Sequence, residues 1–334
     1  MHASVSLFVA AFVLCPAGQA IAQEKFVPST ISEEAAAIIK ETSPGKSAPA
    51  SAEEWQAAWE ENEVSSKPEN EEALKKYPAK IEKLAIAGEE HLLLTPGTYT
   101  PDNEKRILVY IHGGAHTFYS PDTTLINSAP AAHYARTKVL AVRYPLAWQK
   151  PHPASRDLVV AVYQKLLKTY APRRIAMYGD SAGGALLMSA VLKMRDDGLP
   201  MPAVLGLISP WADITKTGDS LTLLQGADPI LDYDLNLKAA AETYATGQDL
   251  KDPSISPLYA DFKKGFPPSY ISTGTRDLFL SHCARLQRKL IDAGIDNQLV
   301  LYEGMWHVFQ GSWIPEEKDA WLDLVAFLKS HWAR

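Results

Sequence analysis

From residue 90 onward the chain alternates short uninterrupted apolar runs with longer stretches whose apolar positions recur three and four apart. The runs are His91 to Leu94, Ile107 to Ile111, Val139 to Val142, Ile175 to Tyr178, Val204 to Ile208, Tyr270 to Thr273 and Leu299 to Tyr302. Helical spacing fills Asp157 to Tyr170, Ala182 to Arg195, Leu280 to Ala293 and Glu316 to Trp332. Apolar runs without polar alternation are strands buried on both faces, and strands alternating with helices give a mostly parallel sheet. The pattern therefore predicts an α/β fold with helices flanking that sheet.

The alternation fails between Asp213 and Phe266, which reads as helices and loops with no clear strand. So long a stretch is an inserted cap rather than a connection. Before residue 86 the signals are also helical. Ser51-Ala52-Glu53-Glu54 reads as a capping box, Trp55 and Trp59 follow four apart, and Leu74, Tyr77, Ile81 and Leu84 suggest a second helical stretch near Pro78. These tryptophans need cover, so residues 23–85 are expected to join the cap over a catalytic domain at 86–334, whose own cap insertion is about 213–266.

The first 22 residues contain no Asp, Glu, Lys or Arg. Val5 to Leu14 is too short to span a bilayer, and Ala20-Ile21-Ala22 gives small residues before Gln23. Residues 1–22 are thus expected to be a signal peptide cleaved near Ala22, exporting the protein to the periplasm or beyond without stable membrane insertion. Leu14 is too bulky for Cys15 to head a lipid-anchor site. The mature chain then keeps only Cys283, expected to be a buried thiol, and no internal disulfide.

Composition is that of a globular protein, with 46% hydrophobic and 22% charged residues. The net charge of −6 gives no basic face for a nucleic acid. Residues 23 to 85 carry thirteen Glu against eight Lys, so most of the excess sits on solvated helices of that segment.

The chemistry centres on Gly179-Asp180-Ser181-Ala182-Gly183, a G-x-S-x-G sequence between a strand and a helix. A nucleophile elbow needs small residues on both sides because strand and helix pass closely there. A serine hydroxyl attacks only when a histidine takes its proton and an acid orients that histidine. Three histidines follow Ser181. His282 and His331 fall within helices, whereas His307 comes just after a strand. Asp277 follows the preceding strand and is the candidate acid, with Asp252 the runner-up and Glu303 too near His307 to orient it. His112-Gly113-Gly114-Ala115 follows the strand ending at Ile111 and is a candidate oxyanion loop, joined by Ala182 after the serine. His112 and His116 flank a glycine turn rather than a helix face, so no metal is expected; His112 is expected to order the loop.

Together, H-G-G-A, G-D-S-A-G-G, Asp277 and His307 resemble the hormone-sensitive-lipase-like esterases, an α/β-hydrolase family, and Asp252 to Leu258 resembles that family's D-P-x-x-S-P-L stretch. The resemblance implies an eight-stranded hydrolase sheet with a helical cap. It implies oxyanion donors at Gly114, Ala115 and Ala182, with Gly113 shaping the loop. Three departures stand out. Ala115 replaces a third glycine; its donor survives with a negative φ, and its methyl narrows the acyl pocket. The Y-R-L-A-P stretch is here Arg143 to Ala147, and an acidic residue four after the catalytic Asp is here Ser281.

The expected activity is that of an exported serine carboxylester hydrolase on small to medium acyl esters, with no cofactor. A lactonase or carbohydrate or xenobiotic deacetylase uses the same triad, and a hydrolase fold can also serve only to bind a ligand. Trp148, Trp211, Trp306 and Phe309 lie near predicted strand ends and are candidates for the substrate cavity wall. A homodimer is left open.

Overall fold

The computed structural model describes residues 25–45 and 47–332; the expected signal peptide lies outside the described residues. Eight strands form one sheet in the order β1-β2-β4-β3-β5-β6-β7-β8. These are β1 Ala79–Ile86, β2 Glu89–Pro96, β3 Ile107–Ile111, β4 Val139–Val142, β5 Ile175–Asp180, β6 Val204–Ile208, β7 Ser269–Gly274 and β8 Asn297–Tyr302. β1 and β2 pair antiparallel, β2 meets β4 antiparallel, and all other neighbours are parallel. Every residue of β3, β5, β6 and β7 is buried, as central strands of a sheet covered on both faces must be, including the polar Asp180, Ser269, Ser272 and Thr273.

The helices are α1 Glu33–Glu41, α2 Ala52–Ser65, α3 Lys67–Lys76, α4 Leu125–Ala135, α5 Ala154–Leu166, α6 Ser181–Asp196, α7 Ser220–Leu223, α8 Lys238–Ala245, α9 Leu280–Asp292 and α10 Glu316–His331. One face of the sheet packs Val109, Met177 and Leu205 against apolar residues of α5, α6 and α9. The other packs Leu108, Tyr110 and Tyr178 against α4 and α10. A third cluster joins Trp55 of α2 with Trp211, Tyr233, Leu237 and Phe279, so the N-terminal helices and the segment after β6 share a core of their own. Cys283 is a free, buried thiol.

The helical stripe expected through Ile81 and Leu84 is instead a strand. α3 stops at Lys76, Pro78 blocks its continuation, and β1 alternates half-buried with exposed residues. Ala87 (φ +53) and Gly88 (φ +89) then turn β1 into β2 through a two-residue hairpin with both central residues left-handed. α4, absent from the sequence expectations, holds Pro130 within it. The capping box at Ser51 is partly formed: its hydroxyl accepts the Glu54 N–H (3.2 Å), while the Glu54 carboxylate accepts the N–H of Ala50 (2.8 Å).

Candidate active site

β5 ends at Asp180 and α6 begins at Ser181, which sits at φ +52. A left-handed serine costs about 1–3 kcal/mol and persists only where its surroundings enforce it. Here the enforcement is close packing. A Cβ on Gly183 would lie 2.2 Å from the carbonyl oxygens of Ile111 and His112, and one on Gly179 would lie 2.7 Å from Gly183. Only glycine lets α6 pass the ends of β3 and β5 at that distance.

Asp277 follows β7 and His307 follows β8, on the same end of the sheet as Ser181. His307 Nδ1 meets Asp277 Oδ1 at 3.1 Å. Asp277 is fully buried and also accepts the Thr273 hydroxyl at 2.7 Å and the Phe279 N–H at 2.8 Å. Burial raises its pKa, but the charge and hydrogen bond of His307 and these donors outweigh burial and hold it below the ordinary carboxylate value. Burial likewise lowers the His307 pKa, and the negative charges of Asp277, Asp228 and Asp180 overcome it, leaving the imidazole above its ordinary value. A hydrogen-bonded His–Asp pair of this kind fixes the ring's tautomer and supports the charge it gains on taking a proton.

The competing candidates fall elsewhere. Asp252 Oδ1 accepts the N–H (2.7 Å) and hydroxyl (2.6 Å) of Ser254, a local turn. His282 stacks on Phe279 inside the fold, and His331 pairs with Asp296 at the surface. Glu303 is exposed, with Thr275 as its partner.

After β3, Gly114 (φ +92), Ala115 (φ +51) and His116 (φ +62) are all left-handed. The negative φ expected for Ala115 is therefore corrected: the loop turns its backbone through three consecutive left-handed residues, and an L side chain there is strained by about 1–2 kcal/mol. The loop is pinned from several sides. Tyr144 donates its hydroxyl to the His112 carbonyl (2.7 Å) and stacks on the His112 ring. Ala147 donates its N–H to the His116 carbonyl (2.8 Å), and the His116 ring stacks on Tyr244 of α8 at 3.7 Å. The Arg143–Ala147 departure thus still serves the loop. Burial lowers the pKa of both His112 and His116 to about 3, so both rings are neutral. Gly113 donates its N–H to Asp180, whose Oδ1 also accepts the Tyr110 hydroxyl (2.6 Å), so Gly113 fixes the loop rather than facing the chamber. Ser281 accepts the N–H of Ser220 (3.0 Å) and ties α9 to α7.

Ser181, His307, Gly114 and Ala115 line one chamber of about 890 Å³, and Ala182 lies buried just behind it. Trp55, Phe118, Leu231 and Leu237 form an apolar wall, with Trp55 edge-on to Phe118 at 5.4 Å. The four aromatic residues expected in this wall lie outside it. Trp306 and Phe309 are fully buried against Ala35 and Ile39 of α1. Trp211 is fully buried against Phe279 (5.8 Å), and Trp148 donates its indole N–H to Thr117 (3.0 Å) beside Trp59. Proximity to a strand end did not distinguish residues facing the chamber from those facing the helices that cover it. Trp55 was visible in sequence as an apolar residue needing cover; Phe118 lies just beyond the glycine loop, where its position was the only signal.

Among the described residues no group of three or more His, Cys, Asp or Glu is arranged to hold a metal ion, and no helix is long and apolar enough to cross a membrane.

The sequence profile of the α/β-hydrolase fold matches residues 108–311. A protein named esterase from Acinetobacter venetianus is 34% identical over 230 residues, covering 67% of this chain and 75% of its own. A protein named acetyl-hydrolase from Streptomyces hygroscopicus is 33% identical over 230 residues, covering 67% of this chain and 76% of its own. Among solved structures, one esterase superimposes with a TM-score of 0.86 at 34% identity, over 97% of this chain and 99% of that one. Another, an esterase of the bacterial hormone-sensitive lipase family, gives 0.73 at 28% identity over 81% and 98%.

Proposed function

The chain belongs to the α/β-hydrolase family as a hormone-sensitive-lipase-like esterase, and on that premise we propose that it hydrolyses carboxylic esters through Ser181, His307 and Asp277. The observation that carries this reading is the left-handed Ser181 sharing a chamber with His307, whose far ring nitrogen is held by a buried carboxylate.

In this mechanism the Ser181 Oγ attacks the ester carbonyl carbon while His307 takes the hydroxyl proton. The carbonyl π pair moves to the oxygen, and the main-chain N–H groups of Gly114, Ala115 and Ala182 donate hydrogen bonds to that oxyanion. Its collapse expels the alcohol, which leaves with the proton from His307, and an acyl-serine remains. Water then repeats the sequence, releasing the acid and restoring the serine. Asp277 keeps its charge throughout and stabilises the imidazolium. No cofactor takes part. The Ala115 methyl and the Trp55 and Phe118 wall favour small to medium acyl groups, and the acetyl-hydrolase relative supports removal of acetyl groups as a use of the same machinery.

The chain also carries an export signal in this reading, cleaved near Ala22, and a cap made from the N-terminal helices and residues about 213–266. A mature mass beginning at Gln23 in the exported fraction tests the first of these.

The activity is tested by rates on p-nitrophenyl esters from acetate to decanoate, with Ser181→Ala beside the parent. Activity peaking at short chains and falling by about a thousandfold or more in the variant is expected. A folded protein that hydrolyses none of them and resists a covalent serine probe would overturn the reading.

A further inference from the structure

Asp252 and Ser254 take no part in the chemistry at Ser181, yet they end a hydrogen-bonded chain that reaches the glycine loop after β3. The Ser254 hydroxyl donates its one hydrogen to Asp252 Oδ1 (2.6 Å). The same oxygen meets His152 Nε2 at 3.0 Å, so in that contact the ring nitrogen is the donor. Burial lowers the His152 pKa to about 4, so the imidazole is neutral and carries its hydrogen on Nε2 alone. His152 Nδ1 therefore accepts, and the Tyr244 hydroxyl 3.1 Å away donates to it. The hydrogens run one way, from Tyr244 to His152 to Ser254 to Asp252.

Both ends of this chain are anchored on elements of the active site. At one end the Ser189 hydroxyl of α6 donates to the Ser254 carbonyl (2.6 Å), and α6 is the helix that begins at Ser181. At the other end the Tyr244 ring lies flat on His116, with centroids 3.7 Å apart and planes 5° apart. Between them the His152 N–H donates to the Tyr244 carbonyl (3.0 Å). Neither ring nitrogen of the buried His116 has a hydrogen-bond partner among the described residues, so ring contacts set that side chain's orientation. His116 and Ala115 are left-handed, a conformation that such residues keep only where their surroundings impose it. The stack on Tyr244 is one such imposition, and it acts one residue from the Ala115 N–H.

We propose that Tyr244 and His152 are positioning residues for the oxyanion loop. Through the stack on His116 they hold Ala115 where its N–H meets the developing oxyanion, and through Ser254 they tie that position to the nucleophile's helix. This rests on the hydrolase reading of Ser181 and adds to it a part for the stretch after β6, which carries Tyr244 and Ser254. Neither Tyr244 nor His152 lines the chamber, so both act through the loop and not on the substrate.

The test measures ester hydrolysis and inhibition by a trifluoromethyl ketone on the full chain, with rates expressed per serine titrated by a fluorophosphonate. The Ser181 oxygen adds to the ketone carbon, its proton passes to His307, and the carbonyl π pair becomes an oxyanion, so the Ki of the ketone reads the oxyanion loop. In Tyr244→Leu, which removes the stack, kcat is expected to fall about tenfold or more with KM within about twofold, and Ki to rise by the same factor as kcat falls. Tyr244→Phe keeps a stacking ring and His152→Leu keeps the tyrosine; each is expected to lose about two- to tenfold. Their combination should lose about as much as His152→Leu alone, because both break the same hydrogen bond. Should Tyr244→Leu fail to fold, these two variants and their combination decide. A role confined to folding would lower the amount of titrated serine and leave Ki unmoved; that result, or additive losses in the combination, overturns the proposal. A parent that hydrolyses esters while the folded variants keep its Ki removes only this inference. A parent that neither hydrolyses esters nor binds the ketone removes the esterase reading as well.

Discussion

Asp228 accepts the main-chain N–H of His307 at 3.3 Å, and the same carboxylate oxygen accepts the N–H of Leu278 at 3.3 Å. Its other oxygen accepts from Ile230 (2.9 Å) and Leu231 (3.2 Å) in the stretch following β6. One buried carboxylate from the stretch after β6 thus spans the loops carrying Asp277 and His307.

Substitution Asp228→Asn replaces an acceptor facing those N–H groups with an amide and deletes a charge near the imidazole. Losing hydrogen bonds to a charged group costs about 1.5–3 kcal/mol, so kcat is expected to fall about 10- to 100-fold with KM little changed. The sign of the pH effect follows from the charges. Asp228, together with Asp277 and Asp180, raises the His307 pKa against the opposing effect of burial. Removing one of the three lowers it, and since the base acts as neutral imidazole, the acid limb of the rate profile moves to lower pH. A kcat loss with an unmoved acid limb would mean that Asp228 acts through packing alone.

Gly183→Ala isolates the steric demand of the turn. The new methyl would sit 2.2 Å from two carbonyl oxygens at the end of β3, and neither is the end of a flexible side chain. The backbone must move, at an expected cost of about 3 kcal/mol or more. Thermal denaturation and activity should therefore fail together. A variant with unchanged melting temperature would show that α6 can retreat from β3 without loss.

How far the site could be read from the chain depended on how local its determinants are. Ser181 was legible because the elbow imposes glycines two residues away on each side, and those glycines fall with it in five consecutive residues, even though Gly183 is demanded by the distant Ile111 and His112. Asp277 and His307 were legible because each follows an apolar run, and chain order fixes which loops meet. The wall of the chamber was not legible. Trp55, Asn127, Asn236 and Gln310 come from positions up to 255 residues apart, from Trp55 to Gln310, and nothing local says that they face the same cavity. β1 was misread for a related reason: Ile81 and Leu84 match a helical spacing as well as they fit the two faces of a strand, and the turn at Ala87-Gly88 decides between them.

Ala115→Gly tests the left-handed loop after β3. At φ +51 the alanine Cβ is strained, and glycine removes that strain while adding freedom to the unfolded chain. The net effect expected is a stabilisation of about 0.5–1 kcal/mol, or about 1–3 °C in Tm for a chain of this size. Removing the methyl also widens the chamber, so the preferred p-nitrophenyl ester should move to longer acyl chains. Unchanged chain-length preference would mean that Trp55 and Phe118, not the Ala115 methyl, set the limit.

Phe118 and Trp306 separate chamber wall from core among the aromatic residues. Phe118 lines the chamber against Trp55, whereas Trp306 is fully buried beneath α1. Phe118→Leu keeps an apolar surface but opens space beside the acyl group, so it should change KM and the ratio of rates on short and medium esters while costing about 1 kcal/mol of stability. Trp306→Ala leaves a cavity under α1 and should cost about 3–5 kcal/mol, with the ratio of rates on those esters preserved in whatever protein remains folded. Denaturant unfolding beside the ester series on both variants decides the assignment. A Trp306 variant that alters chain-length preference at full stability would return that residue to the substrate wall.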